Sequence, residues 1–461
     1  MALFSSSCKK ELGALPENAK VDGNTIINEQ TARIALNGVY YQFANVDPED
    51  NVTDWQSLEV YPDMFSGYLG YGYGEYDEER NIYSNSGNYF WQYSYKIINA
   101  ANGVINRVEA LPDNYFTGNS KNEIIAEAKF LRAYANSKLL TYYAEWHDLS
   151  SNLGILIRDQ LVDLKNAPKS RSNVADSYAF IFDDLDFAIE HAPAPTTNVY
   201  ASKYTAMALK MRVLMCHGEQ ADYTEAITLA NDIIDNGGYS LEANPKDIFY
   251  LKGLSSTEVI LGIRPQQNQE KYYYNLSSQY YPGASSLYAA TQKLVELLNG
   301  DPRQEWLIGP ETPVIPGTNY FTKYIDDGTT ATITSETAYA FRLTEVYLLK
   351  AEAIIRSGGS LTDAKDIIKD IMSRGGVTDF SAIDNAADSN ELLVELFKEN
   401  VRSLVGEDGQ DWMALTRLPE ATVMQIKPTI TNKLQYILPV PRTEFLANPS
   451  FGEQNTGYSK L

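Results

Sequence analysis

Tyrosine and glycine crowd residues 61–95, which hold the residue types best suited to gripping a ligand. Tyr68, Tyr71, Tyr73, Tyr76 and Tyr83 lie there, with Gly67, Gly70, Gly72 and Gly74 set among them. A tyrosine offers a flat apolar face, a hydroxyl at its tip and only two side-chain torsions to freeze. Glycine lets the backbone turn tightly and brings rings close together. The combination suits a surface that must hold something both polar and ring-shaped. A second aromatic run, KYYYNLSSQYY at Lys271–Tyr281, lies far along the chain, with Trp306 beyond it.

No comparable case exists for covalent chemistry. The string GYLGYGYG at Gly67–Gly74 is not the Gly-x-Gly-x-x-Gly of a dinucleotide loop and follows no convincing strand. The sequence has no P-loop lysine, no Gly-x-Ser-x-Gly elbow and no His-Glu-x-x-His. Its three histidines, His147, His191 and His217, fall in separate helical regions, a poor start for a metal site or a triad. Asp47, Asp50 and Asp54 loosely suggest calcium, but the required glycine and distal glutamate are missing, so a solvated acidic loop is the better reading. With 60 Asp and Glu residues, some carboxylate pair always looks suitable for glycoside hydrolysis, so such pairs carry no weight. No catalytic residue, metal or cofactor is expected.

The net charge of −22 opposes nucleic-acid phosphates and anionic lipid heads. Two cysteines, Cys8 and Cys216, cannot build a disulfide framework, and Cys216 sits in the apolar pattern ALKMRVLMC as a buried small hydrophobe. No apolar run is long enough for a transmembrane helix. MALFSSSC resembles the last residues of a bacterial lipoprotein signal, in which the cysteine, here Cys8, becomes the lipidated residue.

The elements that must position the aromatic runs are helices. Ile124, Ala128, Leu131, Ala135, Leu139 and Tyr143 recur at steps of three and four, one face of an amphipathic helix. Tyr178, Ile181, Phe182, Leu185 and Ile189 form another stripe, with Asp183, Asp184 and Asp186 expected on its solvated face. Trp91 and Trp146 lie in helical contexts and read as packing. An internal repeat follows: TEAITLANDIIDNGG at 224–238 and TDAKDIIKDIMSRGG at 362–376 share Thr, Ala, Asp, Ile and a closing Gly-Gly at matched positions. Each copy follows another apolar helix, the layout of a tetratricopeptide-like unit that must stack on neighbours to bury its apolar face. Length alone suggests about three domains.

Several segments, in order, resemble the SusD/RagB family of nutrient-binding lipoproteins from Bacteroidetes-type bacteria. They are TARIALNGVYYQF, YSYKIINAANGVINRVEALP, and the Ala-Glu-x-x-Phe-Leu-Arg-Ala helix carrying Glu127, Phe130, Leu131, Arg132 and Ala133. YAFIFDDLDFAIEHAP, the Arg-Leu-x-Glu-x-Tyr-Leu signature from Arg342 to Ala353, and the Pro439–Tyr458 tail follow. FKENVRSLVGEDGQDWMAL departs from the family's usual Glu-Arg-x-x-Glu-Leu run, and Tyr143–Trp146 departs from its Tyr-Gly-x-x-Pro turn.

The resemblance implies a mainly α fold: about four tetratricopeptide-like helix pairs with long irregular insertions and little β structure. It implies a tether at residues 1–20 and a single domain at 21–461. The scaffold then occupies about 25–45, 84–261 and 337–405, the ligand-facing insertions 46–83 and 262–336, and an irregular tail 406–461. It implies a surface-facing outer-membrane lipoprotein anchored at Cys8, partnered with a SusC-like TonB-dependent transporter, binding glycan without chemistry. A peptide-binding RagB-like receptor and a helical adaptor that binds only protein are the alternatives. The apolar faces of sugar rings stack on flat side chains, so the expected ligand-binding residues are Tyr71, Tyr73, Tyr76, Tyr272, Tyr273, Tyr280 and Trp306.

Overall fold

The computed structural model describes residues 25–45, 55–74, 76–86, 90–265, 276–280, 287–313, 315–324 and 332–460. Cys8, Tyr272, Tyr273, Asp47, Asp50 and Asp54 lie outside the described residues.

Helix α1 (Glu29–Ala44) begins at a reciprocal cap, in which Asn28 accepts from the Thr31 N–H and Thr31 accepts from the Asn28 N–H. A shorter helix α2 (Gln56–Ser66) and strand β1 (Leu69–Tyr71) follow, then α3 (Trp91–Ala110) and α4 (Ser120–Tyr143). Next come α5 (Val174–His191), α6 (Lys203–His217), α7 (Gln220–Asn236) and β2 (Val259–Ile263). The middle of the chain carries α8 (Leu276–Tyr280), β3 (Tyr288–Ala290), α9 (Gln292–Leu297), α10 (Gln304–Leu307), β4 (Ile308–Glu311), β5 (Asn319–Phe321) and β6 (Ala338–Arg342). Helices α11 (Leu343–Arg356), α12 (Leu361–Arg374), α13 (Ser381–Asn385), α14 (Ser389–Leu404), α15 (Gln410–Thr416), α16 (Glu420–Ile426) and α17 (Arg442–Ala447) complete it.

The fold is mainly α, a tetratricopeptide-like scaffold with little strand. The internal repeat becomes two helix hairpins, α6–α7 and α11–α12, and α7 packs on α11. The shared Ala226 and Ala364 and the shared Ile233 and Ile371 are all buried in these seams. The closing glycines have a backbone cause: Gly238 and Gly376 sit at φ +75° and +84°, left-handed turns that a side chain disfavours.

Helix α4 departs from the amphipathic expectation. It is buried almost all round, against α1, α3, α5 and α6. Its polar side chains survive burial because they are paired. Arg132 donates a fork to Asp184 at 2.7 Å on both arms and reaches Asn102 with its third nitrogen, also at 2.7 Å. This corrects the reading of the 183–186 acidic run as a wholly solvated face: Asp183 and Asp186 are exposed, but Asp184 is buried and takes Lys129 as well. Arg342 likewise pairs with Glu407 and Glu258, and Arg212 with Glu345 and Asp408. The charged residues quoted for the family resemblance thus fasten separate elements of the scaffold to one another. Trp146 and Trp91 are both buried, as packing residues are.

Three segments expected to be irregular hold regular structure. The first insertion contains α2, which carries Pro62 inside it, a residue that reads as a helix break in sequence. The second contributes three of the four strands of a small antiparallel sheet, ordered β1-β3-β5-β4. The tail from residue 406 carries α15, α16 and α17. These elements are short, and tertiary contacts rather than a sustained period hold them.

Candidate functional site

The sheet joins the first aromatic run to the second insertion. β1 pairs with β3 in the register Leu69↔Ala290, Gly70↔Ala289, Tyr71↔Tyr288, and the Gly72 N–H extends the ladder to the Leu287 carbonyl at 2.8 Å. Gly70 lets this seam close tightly: a Cβ there would stand 2.7 Å from Glu79 Oε2 and 3.2 Å from the Thr291 methyl, and both side chains would have to shift. Glu79 is held in place by accepting the Tyr71 N–H at 3.1 Å.

Along this run the tyrosines grade from core to solvent. Tyr68 is buried beneath Lys293, whose ammonium lies 4.2 Å from the ring centroid and donates to the Ser66 carbonyl at 2.8 Å. Burial, with Lys427 nearby, brings the Lys293 ammonium down to about 7. Tyr71 is half-buried, its ring 4.2 Å from Tyr76 and 5.5 Å from Tyr288 between centroids. Burial pushes its phenol well above the usual range, so it stays a neutral hydroxyl, hydrogen-bonded to Tyr61. Tyr73 and Tyr76 are the outer rings, 45% and 48% exposed. Tyr76 resting on the half-buried Tyr71, with Tyr73 exposed nearby, makes a shallow aromatic surface that can stack on a flat apolar ligand face.

The other expected residues separate from this platform. Tyr280 is fully buried, stacked 5.6 Å from Tyr324 and edge-on to Phe321 at 5.5 Å, so in this structure it packs the floor beneath the sheet. Trp306 is half-buried against Phe249, 5.8 Å away and nearly parallel. It precedes β4, at the far side of the sheet from β1, about 14 Å away at the usual spacing between strands. The hollow beside it, among Arg303, Arg374 and Arg402, holds only about 20 Å³, room for one water.

Reasoning along the sequence missed the residues that brace the platform. Tyr288, Glu79, Thr291 and Lys427 come from different elements, and the Lys427 ammonium reaches the Glu79 carbonyl at 2.5 Å across most of the chain. No local pattern marks such partners. A larger hollow, about 600 Å³, opens elsewhere, between the start of α3 and α17. Among the described residues, no group of His, Cys, Asp or Glu could hold a metal ion, and no helix is long and apolar enough to cross a membrane.

Two family profiles match the chain: the SusD family over residues 264–423, and "Starch-binding associating with outer membrane" over residues 12–215. A SusD-like protein of Bacteroides ovatus is 27% identical over 184 residues, which is 38% of this chain and 32% of that relative's own length. Among solved structures, a SusD superfamily protein from Bacteroides thetaiotaomicron superposes with a TM-score of 0.76 at 22% identity, covering 93% of this chain and all of that one. A laminarin-binding SusD-like protein superposes with a TM-score of 0.74 at 19% identity, covering 94% of this chain and all of that one. The two SusD profiles, which between them span residues 12–215 and 264–423, show that the chain belongs to the SusD/RagB family.

Proposed function

We propose that this protein is a cell-surface glycan receptor that captures oligosaccharides on the Tyr71–Tyr73–Tyr76 platform and performs no chemistry on them. The observation that carries this reading is two exposed rings, Tyr73 and Tyr76, just past a sheet-edge strand, of which Tyr76 packs on the half-buried Tyr71. Solvent-facing aromatics that are preorganised in this way stack on sugar rings at low entropic cost. A similar protein described as laminarin-binding supports a glucan ligand, and the family description of starch binding at the outer membrane supports the same class and place. In this reading residues 1–20 are the tether, Cys8 carries the lipid, and residues 21–461 form one ligand-binding domain. The bound glycan passes to a SusC-like TonB-dependent transporter. Tyr272 and Tyr273 remain ligand-binding candidates by residue type alone, and Trp306 is assigned to a second stacking point on the far side of the sheet.

Titration of the full chain with laminari-oligosaccharides, malto-oligosaccharides and a peptide pool tests this. Stacking contributes about 0.5–1.5 kcal/mol per ring, so the Tyr73→Ala/Tyr76→Ala double variant should lose about tenfold or more in glycan affinity. Its Tm should match the parent, since neither ring is core. Unchanged glycan affinity in the double variant would remove the platform from the reading, and binding of peptide alone would replace glycan with peptide.

A further inference from the structure

The hollow of about 600 Å³ lies away from the sheet, between the first turns of α3, the loop 156–162 and α17. Its lining includes Trp91, Tyr95, Lys96, Asn99, Arg158 and Glu444. The volume is that of a small-molecule site. The walls are built stiff. Asn102 donates to the Arg158 and Gln160 carbonyls, Asn106 to the Asp159 carbonyl, and Asn99 accepts the Val162 N–H at 2.9 Å. A ladder of asparagines along α3 therefore fixes the loop, and Tyr95 adds a bond to the Leu156 carbonyl at 3.1 Å. Arg158 closes the same loop by donating to the Asn166 and Ala167 carbonyls, each at 2.6 Å. On the opposite wall Glu444 accepts from Trp91 Nε1 at 3.4 Å and from Asn448 at 3.1 Å.

Among the described residues, Lys96 and the Asn99 amide are two of the lining groups this accounting leaves uncommitted. Lys96 lies within ion-pair distance of no carboxylate, and the Asn99 amide nitrogen donates to nothing. In a chain of net charge −22, a lining with Lys96 and Arg158 against the single Glu444 is locally cationic. A ring bearing one carboxylate and several hydroxyls suits this mixed lining of one free ammonium, an amide and a carboxylate. Its carboxylate pairs with Lys96, its hydroxyls use Asn99 and Glu444, and its apolar face lies on Tyr95, which the buried Trp91 backs at 5.0 Å between ring centroids.

We propose that this cleft is a second binding site, separate from the sheet-edge platform, and that its ligand is an acidic saccharide of the uronic-acid type. The probe is digalacturonic acid, with uncharged galactobiose as control, titrated into the full chain at low salt. Digalacturonate should bind at least about tenfold more tightly than galactobiose, and Lys96→Met should abolish that preference with Tm unchanged. Lys96→Arg should keep it, and the Tyr73→Ala/Tyr76→Ala variant should bind digalacturonate as the parent does. Equal affinity for the two disaccharides, no binding of digalacturonate at millimolar concentration, or indifference to Lys96→Met each overturns the proposal. Loss of digalacturonate binding in the Tyr73/Tyr76 variant also overturns it, by placing that ligand on the sheet edge.

Discussion

Glu127 offers a sharp test of how this helical scaffold handles buried charge. It lies on α4, buried, and its Oε2 accepts the Tyr40 hydroxyl at 2.6 Å, while Tyr40 in turn accepts the Ala201 N–H at 2.8 Å. Burial raises the Glu127 carboxyl from 4.5 to about 7. The sign follows from proton counting. Between pH 4.5 and 7 the folded chain keeps a proton that the unfolded chain gives up, so stability is full below 4.5 and falls as pH rises to 7. Each pH unit in that window removes about 1.4 kcal/mol, a sum of about 3 kcal/mol. Glu127→Gln keeps an oxygen for Tyr40 and removes the titration. Urea unfolding of the two proteins should give equal stabilities near pH 4.5 and a lead of about 3 kcal/mol for the variant at pH 8. Taking the difference between the two cancels every other titrating group. Parallel pH profiles would refute the reasoning, and so would a variant weaker than the parent at pH 8.

Two further substitutions separate core from surface. Tyr280→Ala should cost about 3–5 kcal/mol in a denaturant melt, because it empties a site enclosed by Tyr324 and Phe321; a loss below about 1 kcal/mol would mean that Tyr280 does not pack the sheet floor. Arg132→Met should cost about 3–5 kcal/mol by leaving Asp184 buried with Lys129 as its one remaining cation among the described residues, and Arg132→Met/Asp184→Leu should recover part of that loss in a double-mutant cycle.

Much of the scaffold was legible in sequence because long helices announce themselves by period. The stripes on α4 and α5 and the repeated hairpins α6–α7 and α11–α12 each extend over many residues, enough for a 3.6-residue period to stand out. The short elements were not legible. β1, β3 and β5 have three residues each, too few for any period, and exist because the ladder between distant segments satisfies their backbones. The same limit applies to charge. Asp183, Asp184 and Asp186 look alike in sequence, yet only Asp184 meets the Arg132 fork, and nothing local distinguishes it.

For function, residue type alone pointed to aromatic recognition: tyrosines spaced by glycines, with no nucleophile, base or metal-ligand motif beside them. Which rings face solvent was decided by tertiary structure. Pairing of β1 with β3 buries Tyr68 and Tyr288, leaves Tyr71 half-covered and turns Tyr73 and Tyr76 outward. The sheet order sends Trp306 to the far side, and packing against Tyr324 takes Tyr280 into the core. The reason is physical: an aromatic side chain is equally at home in a core and on a binding surface, so its composition is local while its exposure is set by what the rest of the chain lays against it.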